Sequence, residues 1–173
     1  MKTKEIIRRI NLAEDVREKV FSSLQMITYY TLYYDQDFSK KQVQNFNEFL
    51  KKYNEEFKLY ETEKLNELDM KFKKNLDIDC RKMAVNFPHR PKMKLYGKKN
   101  KHADIVLHNT NDCIEDYLLL AVLILHKHYR FSAARINQWW EQAVEFSRLY
   151  VDGLTDEHVV KYFIQECNLK IVD

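Results

Sequence analysis

The chain has 173 residues, 45% of them hydrophobic and 32% charged, which is ordinary for one globular domain or a domain with a helical appendage and excludes a disordered chain. Two glycines and two prolines are too few for hairpin-rich or Rossmann-type architectures, and neither a dinucleotide-binding fingerprint nor a P-loop is present. The net charge of +3 hides a segregation: residues 1–79 balance 15 basic against 15 acidic residues, 80–103 hold 8 basic and no acidic ones, and 104–173 hold 6 against 11.

Three well-separated cysteines, Cys80, Cys113 and Cys167, suit reduced thiols in a cytoplasmic protein better than a disulfide framework. The N-terminal stretch lacks the apolar core of a signal peptide. The longest apolar run, Tyr117–Leu125, has nine residues where a membrane span needs about 20. No membrane partner is therefore expected.

Taken in order, the chain opens with a short turn at Lys4–Ile10. Asn11 and Glu14 then have the spacing of a capping box ahead of Val16, Val20, Leu24, Ile27 and Thr31 at helical intervals, and this helix is expected to end near Asp35–Phe38. Tyr29, Tyr30, Tyr33 and Tyr34 crowd its last turns. They read as the packing of a helix–helix corner, with a base-stacking platform as the alternative.

Ser39 and Gln42 form the next capping box, and Phe38 with Val43 fits a hydrophobic staple. Val43, Phe46, Leu50, Tyr53, Phe57 and Tyr60 follow the alternating spacing of a coiled-coil seam, which slips at Lys64 and resumes at Leu65, Leu68 and Phe72. Such a seam needs a partner, either the first helix or a second subunit in a homodimer.

Residues 78–108 break the helical pattern. Pro88 and Pro91 are excluded from helix interiors, and Gly97 permits a turn. The segment reads either as a basic linker or as a small β-hairpin near 92–108, with strands at Lys92–Tyr96 and Ala103–His108. Beyond it, Asp112 and Glu115 have capping-box spacing ahead of a helix to Tyr129 that is apolar on nearly all sides and so expected to be buried on nearly all sides. Ser132 caps the next helix, stapled by Phe131 and Ile136, with Ile136, Trp139, Ala143, Phe146 and Tyr150 as its stripe. After Gly153, Thr155 caps a last helix. The expectation is a mainly all-α fold: a coiled N-terminal helical hairpin (1–79), a basic linker or hairpin (80–110) and a C-terminal three-helix bundle (111–173).

Metal and catalytic signals are weak. His89, His102, His108, Cys113 and Cys80 carry no CxxC or HxxxH spacing, and His126 and His128 sit two apart on a helix, on different faces. Glu115 and Asp116 are explained by capping, and the cysteines by packing in apolar stripes. No nucleophile–base couple stands out. A non-enzymatic protein without metal or cofactor is expected, with a metal-dependent nuclease and an assembly protein that oligomerises through the coiled-coil seam as rivals.

The basic segment carries the functional reading. Arg81, Lys82, Arg90, Lys92, Lys94, Lys98, Lys99 and Lys101, interleaved with Phe87 and Tyr96, combine positive charge with rings that stack on bases, the chemistry of nucleic-acid or nucleoprotein contact. Neutralisation of these charges inside the chain is the alternative.

One resemblance follows from the C-terminal residues. Leu125–His126, Phe131, Arg135, Trp139, Leu154–Thr155 and Glu166–Cys167 resemble the C-terminal part of small proteins encoded in phages and prophages of Firmicutes, in which glycines occupy the corner that here holds Arg130 and Ser132. The likeness spans about 55 residues and implies a genetic setting, a bacterial host cell, rather than a chemistry. By analogy, small phage proteins of this layout include inhibitors of CRISPR effector nucleases.

Overall fold

The computed structural model describes residues 2–58, 62–88, 103–151 and 165–166. The fold is predominantly α-helical: α1 (Lys2–Tyr34), α2 (Lys40–Lys58), α3 (Thr62–Leu76), α4 (Cys80–Val85), α5 (Ala103–Tyr129) and α6 (Ala133–Val151). Among the described residues there is no strand.

The central element is α5. Its sequence is apolar around the full circumference from Tyr117 to Leu125, and those residues can be kept from water only by neighbours on every side. It packs against all five other helices, and Ile114, Tyr117, Leu118, Ala121, Val122, Ile124 and Leu125 are fully buried. α1 runs alongside it in the same direction: Arg17 meets Asp116, Phe21 stacks edge-on to Tyr117 at 5.1 Å, and Phe38 lies 4.7 Å from Tyr129. α6 turns back along α1, with Trp139 Nε1 donating to Thr31 Oγ1 at 3.1 Å and Tyr30 stacked on Phe146 at 4.1 Å. The tyrosine-rich end of α1 is thus a helix–helix corner. Tyr29 is fully buried, donates to Asn47 Oδ1 at 2.6 Å and accepts from Gln25.

Three of the corners share one construction. Asp37, Asp77 and Arg130 sit in the left-handed region, with φ of 57°, 54° and 56°. In each case the next residue, Phe38, Ile78 or Phe131, donates its N–H to the carbonyl six positions back, on Leu32, Phe72 or Leu125. Each of these hydrophobes is buried, as are the residues that accept from them. Helix stops of this kind usually use glycine at the left-handed position, and this chain manages three without one. The residue after the hydrophobe then caps the following helix. Ser39 exchanges hydrogen bonds with Gln42, Asp79 Oδ1 accepts from the N–H of Lys82 at 3.0 Å, and Ser132 Oγ accepts from the N–H of Arg135 at 3.3 Å.

Several expectations need correction. α1 is continuous from Lys2, so Asn11 is not a cap. Asp112 likewise lies inside α5, where it pairs with His108 at 3.2 Å. Ala103–His108, expected as a strand of a small hairpin, forms the first turns of α5 because Val106 and Thr110 bury in register with Cys113 and Tyr117 at helical spacing. The companion strand Lys92–Tyr96 lies outside the described residues. The seam, expected to meet either the first helix or a second subunit, is occupied within the chain: Val43, Phe46 and Leu50 are fully buried, Tyr53 nearly so, and α2 packs on α5 as well as on α1. Phe57 is half-buried, and Tyr60 lies outside the described residues. Helices of the expected arm 1–79 therefore share a core with α5 and α6.

Candidate nucleic-acid interface

The basic segment begins on α4, whose placement is over-determined. Asp79 caps it, and that carboxyl is held below its usual range chiefly by the hydrogen bond from the Lys82 N–H and also by Lys73, 3.5 Å away. At the other end of α4, Trp140 Nε1 donates to the carbonyl of Met83 at 2.9 Å, and Phe87 stacks on Trp140 at 5.5 Å. Phe87 is buried. It is an anchor, not a platform for bases.

Arg81, half exposed, is likewise engaged with the fold. Its guanidinium donates to Asn66 Oδ1 and lies 3.8 Å from both Asp69 and Glu115, so it ties α4 to α3 and α5 at once. Asp69 is the buried member of the cluster. Its Oδ2 also receives Lys73 at 2.9 Å, and its Oδ1 is buried with no hydrogen-bond partner. Burial raises the Glu115 carboxyl, against which Arg81 acts. Burial also raises Asp116, which the salt bridge from Arg17 at 2.8 Å partly offsets. This ion cluster joins four helices and gives each of its cations an acidic partner.

Of the residues expected to bind nucleic acid, Arg81 therefore serves the fold. Lys82 is exposed beside it and takes no side-chain partner among the described residues. Arg90, Lys92, Lys94, Tyr96, Lys98, Lys99 and Lys101 lie outside the described residues.

No metal centre is formed by the described residues, where no group of three His, Cys, Asp or Glu side chains comes together. His89 and His102 lie outside them. Cys113 donates to the Arg17 carbonyl at 3.4 Å, and burial, with Asp69 and Asp79 nearby, pushes the Cys80 thiol up to about 12, which leaves it protonated. Both His126 and His128 are exposed. His126 Nδ1 lies 3.1 Å from the Phe131 carbonyl, and His128 stacks on Phe49 at 3.8 Å and lies 3.0 Å from the Tyr53 hydroxyl.

Asp69 was legible in principle. It falls in the apolar stripe that Leu65, Phe72 and Leu76 define, and a carboxylate at such a position signals a buried ion pair.

Comparison with protein-family models, with curated proteins and with solved structures finds no match to this chain. Of the residues behind the resemblance to phage-encoded proteins, Leu125, Phe131, Arg135 and Trp139 build the α5–α6 corner: Leu125 accepts from Phe131, Arg135 lies over the Phe131 ring at 3.9 Å, and Trp139 reaches Thr31. Their roles there are structural. Leu154, Thr155 and Cys167 lie outside the described residues. Glu166, from the same set, lies 3.4 Å from Lys40. Among the described residues, no helix is long and apolar enough to cross a membrane.

Proposed function

We propose that the chain is a non-enzymatic binding protein of a phage or other mobile element that occupies a nucleic-acid or nucleoprotein surface through Arg90, Lys92, Lys94, Lys98, Lys99 and Lys101, with Tyr96 stacking. The observation that carries this reading is the segregation of charge: 8 basic residues and no acidic one within 80–103 of a chain otherwise balanced or acidic. Density of this kind attracts phosphate backbones, and an aromatic ring within it stacks on bases without regard to sequence. The burial of Phe87 against Trp140 and the ion pairs of Arg81 favour the residues beyond Phe87, with Lys82, as the contact set.

A partner combining protein and nucleic acid suits a protein whose basic excess sits beside an acidic C-terminal part, and a CRISPR effector nuclease is the class of machine that the resemblance to phage-encoded proteins suggests. The test is a binding titration with single- and double-stranded DNA at low and moderate salt. A complex that weakens steeply as salt rises supports the reading, and no complex with either DNA at low salt removes direct nucleic-acid contact.

A further inference from the structure

The first turns of α1 stand out from the rest of the helix. Residues 3–11 are all exposed, although they continue the stripe by which α1 meets α5 at Arg17 and Phe21. Within them Ile6, Ile7 and Ile10 are 56%, 52% and 52% exposed. At about 3.6 residues per turn these three isoleucines share one sector of the helix, with Lys4 and Arg9 bordering it on either side and Glu5 and Arg8 on the far side. Glu5 is drawn to Arg9, 3.8 Å away. The outcome is a helix end with an apolar face, cations at both margins and its one acid turned away from that face.

That arrangement discriminates between occupants. A second copy laid alongside would bring Lys4 and Arg9 against their equivalents. Phosphate recognition by nucleic acid makes no use of three isoleucines. A protein groove of standard size covers roughly 800 Å² on each partner, far more than three half-exposed side chains offer. An anionic lipid surface matches each feature: isoleucine enters the headgroup–acyl boundary, while lysine and arginine at the margins extend their charges to the headgroups.

We infer that the first three turns of α1 are a docking helix for anionic membrane surfaces, which binds in the plane of the interface and does not span it. This site is separate from the basic segment and stands on different residues. It adds a peripheral contact where the length of the apolar runs alone gave no reason to expect a membrane.

The experiment is flotation of the full chain with vesicles of pure phosphatidylcholine and with vesicles containing about 30% phosphatidylglycerol. The wild type is expected to float only with the anionic vesicles. The triple variant Ile6→Ser, Ile7→Ser, Ile10→Ser should lose affinity about ten-fold or more, with circular dichroism and melting temperature unchanged because the positions are exposed. A variant with Lys98, Lys99 and Lys101 changed to Ala, which leaves the isoleucines in place, should still float. Absence of flotation of the wild type at low salt overturns the inference. So does equal flotation of the isoleucine variant, which would assign the attraction to charge elsewhere on the chain.

Discussion

Arg81 and Asp69 stand 3.8 Å apart, an exposed guanidinium set against a carboxylate that is almost completely buried. Asp69 keeps Lys73 as a second partner. Replacing Arg81 by Ala is therefore expected to destabilise the fold by about 1–2 kcal/mol, below the cost of stripping a buried charge of all its partners, because Arg81 is itself half in solvent. Chemical denaturation measures this. Affinity for DNA should be unchanged, whereas Lys98→Ala, Lys99→Ala and Lys101→Ala together should weaken it and flatten its salt dependence.

The three left-handed corner residues lead to an engineering test. Arg130 holds φ of 56° with its side chain exposed. Glycine removes the Cβ clash at a cost in unfolded-state entropy, so Arg130→Gly should stabilise by about 0.5–1 kcal/mol, read as a rise in melting temperature. Arg130→Val should lower it. Asp37 and Asp77 should gain less, since aspartate tolerates this conformation better than arginine does.

His128 ties stability to pH. Desolvation, then Lys127 and Lys52, hold its pKa below the ordinary histidine value. With the folded value below the unfolded one, its contribution is fully present above the unfolded pKa and is lost as the pH falls through the folded one. Denaturation midpoints measured from about pH 8 down to about pH 5.5 should fall less in His128→Asn than in the wild type. The effect is small, since the ring is exposed against Phe49 and Tyr53.

With Val43, Phe46 and Leu50 turned into the core, the α2 seam is a folding element. Leu50→Ala should cost about 2–5 kcal/mol. The melting temperature should not depend on protein concentration, as it would if the seam joined two subunits.

The caps show how far the sequence could be read. Three sites carry capping-box spacing at the sequence level, and of these only Ser39 starts a helix; Ser132, with Arg135 three residues on, caps the next one without a box. At both, an apolar residue precedes the cap and another lies four residues after it: Phe38 with Val43, and Phe131 with Ile136. Asn11 has Asp15 at the second position, and Asp112 has Asp116. Without the staple, the spacing is merely two polar residues on one face of a longer helix. The same rule finds the cap at Asp79, flanked by Ile78 and Met83.

The burial of α5 was legible because its apolar residues run around the whole helix. The ion pairing of Arg81 was not, because its partners lie on α3 and α5, far off in sequence. Nor was the role of Phe87, whose stacking ring arrives from α6.

The central proposal is contact with a polyanion through the residues beyond Phe87. Its most direct measurement is the affinity of the chain for single- and double-stranded DNA as a function of salt. Binding that falls steeply between about 50 and 200 mM salt, and that is lost when Arg90, Lys92, Lys94, Lys98, Lys99 and Lys101 become Ala in a chain that still folds, is the expected result. Binding that is absent at the lowest salt, or that survives those substitutions, would contradict it.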